Sequence, residues 1–169
     1  GTAGDENGFS VAVDPAGHVF LHGTLNNTMD LDPSPAGVFN LTSAGGTDMF
    51  LARYDAATGA FQQAIRIGNT FPEIAPPGVV RVDGNGNLAI TGRFRGVLDL
   101  DPSPTGVFTV SNLGTGVTEE IFVASYTADL AFRWGFNLAS DNGLDGAHRV
   151  AFDSANNVFI AGWHSGTTD

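Results

Sequence analysis

The chain has no cysteine and no lysine; its seven basic residues are all arginine. Without cysteine there can be no disulfide, thiolate nucleophile or Cys-ligated zinc. Without lysine there can be no Schiff-base chemistry and no P-loop. Positive charge is scarce throughout: 7 basic residues face 18 acidic ones, giving a formal charge of −11 and a pI near 4.4. That balance argues against nucleic acid, whose binding rests on neutralised phosphates, and against an anionic membrane surface. No apolar run approaches the roughly 20 residues of a membrane-spanning helix, so no membrane insertion is expected. An initiator Met, a basic n-region and a signal-like apolar run are also missing. Gly1-Thr2-Ala3-Gly4 at one end and Thr167-Thr168-Asp169 at the other read as cuts in a longer polypeptide.

Glycine is abundant, with 23 in 169 residues, which suits a fold of many tight turns. The length is that of one domain with a core of moderate size.

Three segments repeat. Val13-Asp14-Pro15-Ala16-Gly17-His18-Val19 aligns with Val82-Asp83-Gly84-Asn85-Gly86-Asn87-Leu88 and with Phe152-Asp153-Ser154-Ala155-Asn156-Asn157-Val158. Each runs into an apolar stretch ending in glycine, at Gly23, Gly92 and Gly162. Asp30-Leu31-Asp32-Pro33-Ser34-Pro35 returns as Asp99-Leu100-Asp101-Pro102-Ser103-Pro104, and Gly37-Val38-Phe39 as Gly106-Val107-Phe108. Phe50, Ala52 and Tyr54 then match Phe122, Ala124 and Tyr126. The offset is about 70 residues throughout, which gives two complete units and the first third of another.

Inside a unit the periodicity is 2. Phe9, Val11 and Val13 alternate with small or polar residues, and Phe50, Ala52 and Tyr54 share a face. The pattern predicts strands over about 9–13, 19–21, 49–55 and 61–67, a long excursion over 25–47, and a short hairpin around 38–42. No window reads as an amphipathic helix. Four antiparallel strands per unit, repeated at this spacing, predict an all-β fold of β-propeller blades in an incomplete ring: blade 1 over 1–68, blade 2 over 69–139, and the first strands of blade 3 over 140–169.

The residues then show a likeness. Phe152-Asp153 followed by Asn157-Val158-Phe159-Ile160-Ala161-Gly162 resembles the bacterial β-propeller repeats called SBBP repeats. Asp48-Met49-Phe50-Leu51-Ala52-Arg53-Tyr54-Asp55 is similar to that family's Asp-Ala-Phe-Val-Ala-Lys-Leu-Asp strand, and the Asp-Leu-Asp-Pro-Ser-Pro insert to a variant of large secreted or surface proteins. The chain departs from the pattern where Arg53 and Ser125 replace the lysine and in a longer loop around Asn112 to Thr118. The resemblance implies a propeller and an extracellular or cell-surface setting, and little about activity.

The paired aspartates Asp30/Asp32 and Asp99/Asp101 are the most conspicuous polar feature. Carboxylates at i and i+2 on an extended segment face one side, near enough to share calcium. The competing reading, which takes precedence, is that each Asp caps the following Pro-Ser-Pro turn through backbone N–H groups. Asp83-Gly84-Asn85-Gly86-Asn87 reads as a hairpin turn that uses Asn and Gly for positive φ, since it lacks the glycine and glutamate spacing of a calcium loop. The histidines 18, 22, 148 and 164 show no zinc spacing and read as surface residues. No Gly-x-Ser-x-Gly elbow is present, and Glu119-Glu120 sit together at a strand entrance. Phe50, Phe122, Tyr54 and Tyr126 recur at one position and read as core, whereas Trp163 and Phe94 are less constrained as sugar-stacking candidates.

These features predict a non-catalytic secreted or cell-surface module that acts as a scaffold or binding platform for a protein or glycan, with no cofactor other than the calcium alternative. Two other readings stand beside it. One is a self-assembling filament or surface-layer subunit, a homo-oligomer whose blades are completed by partner strands. The other is a non-catalytic part of a carbohydrate-active enzyme.

Overall fold

The computed structural model describes residues 6–71, 74–112, 119–138 and 146–163, with the side chains of 74–78 and 146–148 excepted. In chain order the strands are β1 (Asn7–Val13), β2 (His18–Asp30), β3 (Asn40–Asp55), β4 (Phe61–Ile67), β5 (Ile74–Val82), β6 (Leu88–Phe94), β7 (Val97–Asp99), β8 (Thr109–Ser111), β9 (Glu120–Tyr126), β10 (Phe132–Leu138), β11 (Gly146–Phe152) and β12 (Val158–Trp163). Among the described residues there is no helix. Two four-stranded sheets form, in the orders β1-β2-β3-β4 and β10-β9-β6-β5, and β7-β8 and β11-β12 make two-stranded ribbons. Every pairing is antiparallel.

The first hairpin of each unit closes on the same aspartate turn. Asp14, Asp83 and Asp153 each accept, on Oδ1, the backbone N–H of the residue four positions on, at 2.8 Å in all three cases. The residue three positions on donates its N–H to the aspartate carbonyl, and its φ is positive: Gly17 at 87°, Gly86 at 83° and Asn156 at 63°. Glycine and asparagine tolerate that left-handed conformation, which is why they recur there.

The long excursion expected over 25–47 is instead a continuation of the β2–β3 ladder. Asn26 pairs with Thr47, and after a bulge Thr28, Met29 and Asp30 pair with Thr42, Leu41 and Asn40. The expected hairpin around 38–42 is therefore absent: residues 40–42 belong to β3, and 38–39 lie in the connecting loop. The bulge hides this continuity in the sequence. Asn27 turns at a φ of 71°, its N–H bonds Ser43 Oγ at 3.0 Å, and the Ala44 N–H reaches Asp48 Oδ2 at 2.7 Å. Side chains thus replace ladder partners, and the segment loses its apolar alternation. In the second unit the same extension is the separate β7–β8 ribbon, whose Asp99–Thr109 pair corresponds to Asp30–Asn40.

The two large sheets pack face to face. Phe20, Met49, Leu51 and Ile67 of the first sheet share one core with Leu88, Ile90, Phe94, Phe122 and Tyr126 of the second. Burying a side chain such as Phe122 contributes about 2–3 kcal/mol. The first strands of the units are neighbours: β5 lies beside β1 on one side and β11 on the other. The Val80 N–H bonds Ser10 Oγ at 3.2 Å, and the Gly84 N–H bonds Asn156 Oδ1 at 3.0 Å. Farther out, Arg53 donates to the Ala128 carbonyl at 2.8 Å and to Asp129 Oδ1 at 2.6 Å, and Gln63 Nε2 donates to the Asp129 carbonyl. Sheets stacked on their faces with first strands side by side form a propeller-like arrangement.

Candidate functional site: the repeated aspartate loops

The loop from Asp30 to Phe39 and its counterpart from Asp99 to Phe108 are built identically. Asp30 Oδ1 accepts the N–H groups of Asp32 (3.1 Å) and Phe39 (2.9 Å); Asp99 Oδ1 accepts those of Asp101 (3.0 Å) and Phe108 (2.9 Å). Asp32 Oδ1 then takes the Ser34 N–H at 2.9 Å and Asp101 Oδ1 the Ser103 N–H at 3.0 Å. Ser34 and Ser103 accept in turn, through Oγ, the N–H groups of Gly37 and Gly106 at 3.0 and 2.9 Å. A Cβ on either glycine would stand 1.9 or 1.8 Å from the Oδ2 of Asp32 or Asp101, so only glycine fits beneath that carboxylate.

Apolar contacts anchor each loop to its sheet. Leu31 and Leu100 are buried, and their carbonyl oxygens accept the hydroxyl protons of Tyr54 (3.0 Å) and Tyr126 (2.8 Å). Phe39 packs on Phe61 with ring centroids 4.6 Å apart, and Phe108 on Phe132 at 4.9 Å. Val38 and Val107 are the exceptions, exposed to 70% and 76% at the same point of each loop.

The electrostatics follow from this wiring. The amide protons of Phe39 and Asp32 hold the Asp30 carboxyl below its ordinary value. Burial, reinforced by the charges of Asp32 and Asp30, raises the Tyr54 phenol; burial, with Asp101 and Asp99, raises that of Tyr126. Both tyrosines are therefore neutral donors, suited to a buried carbonyl. Among the described residues, no group of three or more His, Asp or Glu side chains is placed to hold one metal ion. The Oδ1 atoms of Asp30, Asp32, Asp99 and Asp101 are occupied by backbone donors, as a turn cap requires.

Several other sequence candidates are placed differently from expectation. His18 is no ordinary surface residue: its Nδ1 lies 2.7 Å from Asp14 Oδ2, where Asn87 and Asn157 put their amide nitrogens on Asp83 and Asp153 at 2.9 and 2.8 Å. An imidazole Nδ1–H can do the work of an amide N–H here, so His aligns with Asn. His22, expected on the surface, is fully buried in β2 at the level of Thr91. The His148 side chain, His164 and residues 113–118 of the long loop lie outside the described residues. Phe50, Phe122 and Tyr126 are core, and so is Phe94, which is fully buried and unavailable for sugar stacking; Trp163 is exposed.

Sequence reasoning missed the buried acids. Asp48, in the middle of β3, and Glu120, at the start of β9, occupy one aligned position, and both are inaccessible to solvent. Arg66 pairs with Asp48 at 2.8 Å, and Asn137 Nδ2 bonds Glu120 Oε2 at 3.2 Å. The neighbouring Glu119 is clamped by Arg93 and Arg95, each at 2.7 Å. The recurrence of an acid two residues before Phe50 and Phe122 was the available signal.

Between the sheets, Ile65 of β4 faces Pro102, Pro104, Leu130 and Phe132 across a groove of about 390 Å³, with Asp101 and Asp129 also on its lining. The second loop thus presents proline surface in this groove next to Asp101 and Asp129, whose Oδ1 atoms are already hydrogen-bonded. Such a surface can be bound against.

No protein-family model matches the chain. It is 25% identical over 151 residues, 83% of its length, to an uncharacterized WD repeat-containing protein of Acanthamoeba polyphaga mimivirus. The chain spans about a tenth of the length of that protein. This likeness is consistent with a propeller-like repeat.

Proposed function

We propose that the chain is a non-catalytic β-propeller repeat module of a secreted or cell-surface protein, serving as a scaffold or binding platform for a protein or glycan. Its units in this reading are blades over 1–68 and 69–139 and the first strands of a further blade over 140–169. The resemblance to SBBP repeats supports the propeller and the surface setting. The likeness to the viral WD repeat-containing protein supports the repeat architecture.

One observation carries the binding role. In two separate units the loop ties aspartate Oδ1 and serine Oγ atoms to its own backbone and holds a valine out into solvent, Val38 in one and Val107 in the other. A repeated, rigid loop with an outward apolar tip suits recognition, because little entropy is lost when it is covered.

The test is a screen of the chain against peptide and glycan arrays, with a Val38→Asp/Val107→Asp variant and a Thr105→Asp control. Saturable binding that the valine variant loses, at unchanged melting temperature and with no product formed, is the expected result. Binding indifferent to both valines, or turnover of a bound glycan, would overturn the proposal.

A further inference from the structure

We propose that the groove between the two large sheets seats one lysine side chain of a basic peptide segment on another protein. The methylene stem lies along Ile65, Pro102, Pro104 and Phe132, and the ammonium bonds Asp101 and Asp129. This site is separate from the valine tips and does not rest on what they bind.

The groove is internal to the chain. Ile65 comes from β4 of the first sheet, 101–104 from the loop after β7, and 129–132 from the turn between β9 and β10. Contacts within and between the units fix each wall. Arg53 of β3 bonds the Ala128 carbonyl at 2.8 Å and Asp129 Oδ1 at 2.6 Å, and Gln63 bonds the Asp129 carbonyl. The Phe132 ring lies against Phe108 and Tyr126, with centroids 4.9 and 6.0 Å away. Leu130 holds a φ of 55° where the first unit has Gly59 at 72°. A leucine bears strain in that conformation that glycine avoids, yet its side chain is buried in the core that joins the sheets. The turn is thereby pinned, and a ligand meets walls that are already formed.

Charge selects the occupant. Two carboxylates on the lining share one arginine, and the Asp129 side chain stays 82% exposed despite that partner. The excess negative charge sits in a chain of formal charge −11 that has no lysine of its own, and such a field draws in a cation. Hydrogen bonding then separates lysine from arginine. Each acid already uses Oδ1, Asp101 on the Ser103 amide and Asp129 on Arg53, and among the described residues neither Oδ2 has a donor. A guanidinium fork needs both oxygens of one carboxylate. An ammonium has three separate donors and can take one oxygen from each acid. The apolar lining suits the methylene stem, which lysine buries while its charge stays at a polar rim.

The experiment titrates the full chain with the capped heptapeptide Gly-Ala-Ala-Lys-Ala-Ala-Gly and follows backbone amides by NMR. Saturable shifts at 65, 101, 103 and 129–132 are expected, weakening as salt rises. Norleucine in place of the lysine removes the charge and should abolish them; arginine there should raise Kd about fivefold or more. Asp101→Asn and Asp129→Asn keep an Oδ1 acceptor for Ser103 and Arg53, and each should raise Kd by about fivefold to tenfold. Asp32→Asn, the matching change in the first loop, should leave Kd unaltered. Four results would overturn the proposal: no saturable shift at millimolar peptide, shifts that map elsewhere, equal binding by the norleucine or arginine peptide, or an equal loss in Asp32→Asn. The peptide substitutions leave the chain untouched, so they decide the question even where a chain variant fails to fold.

Discussion

The Tyr126 hydroxyl donates to the Leu100 carbonyl oxygen at 2.8 Å, 26 residues away, and fastens the second aspartate loop to the central strand of its sheet. Both residues are wholly buried, so removing the hydroxyl leaves a carbonyl without a partner. Tyr126→Phe is expected to cost about 1–3 kcal/mol in a urea titration. Tyr54→Phe, at a half-buried site where water can substitute, should cost about 1 kcal/mol or less. Equal costs would contradict the burial argument.

Gly106 sits where a Cβ would meet Asp101 Oδ2 at 1.8 Å, with Ser103 Oγ at 2.5 Å. Gly106→Ala must push the carboxylate aside and break the Asp101 and Ser103 turn bonds, a loss of about 1–3 kcal/mol. Thr105→Ala, one residue away and exposed, should change the urea midpoint little. Gly37→Ala is the matching test in the first unit.

The pH profile should show a loss of stability at each extreme. For Asp14, burial pushes the carboxyl up, but the His18 amide and imidazole outweigh it, and the net value is lowered. Asp30 is lowered by the amides of Phe39 and Asp32, Asp55 by the Thr58 hydroxyl and amide, and Asp153 by the Asn157 side chain and amide. A lowered folded value means that the contribution is complete above the ordinary value of 3.8 and is lost as pH falls through the folded values. The melting temperature should therefore drop below about pH 4, and Asp14→Asn should flatten that drop. Tyr126 is raised from its ordinary 10.0, so its contribution is complete below that pH and disappears as pH rises through the folded value. Tyr126→Phe should remove that part of the alkaline loss.

Calcium tests the aspartate pairs. The Oδ1 atoms of Asp30, Asp32, Asp99 and Asp101 accept backbone amides, as turn caps do; if capping is their role, the melting temperature should be the same in calcium and in chelator. A rise in calcium that is lost in Asp101→Asn would assign the pair to the metal instead.

The sequence displayed the strands through their alternation, but in β1 the apolar set Phe9, Val11 and Val13 is the exposed face and Ala12 packs against the core, so alternation located the strand and not its buried side. It also displayed the Asp14, Asp83 and Asp153 turns, whose glycine or asparagine at positive φ is a local requirement. The β2–β3 extension was not legible, since at Asn27 and Ser43 to Ala44 side chains replace ladder bonds and erase the alternation. His22 was misread for a different reason. Burial at 22 is set by the neighbouring strands and core, and nothing local to the residue reports it. The acids at 48 and 120 could have been found by alignment alone, but their arginine and asparagine partners come from other strands. The loop aspartates were found at once, and only their hydrogen bonds assign each oxygen to a donor.

The central structural claim is that successive units stand side by side with their first hairpins adjacent. The Gly84 N–H bonds Asn156 Oδ1 at 3.0 Å, and an added Cβ on Gly84 would lie 3.3 Å from that oxygen, so side chains at the two positions meet. The chain has no cysteine of its own, so Gly84→Cys/Asn156→Cys would carry its only thiols. We would oxidise this variant at low concentration and map the linkage by mass spectrometry. An intramolecular disulfide joining the two turns is the predicted result. Thiols that stay free, or that link only between molecules, would contradict the arrangement.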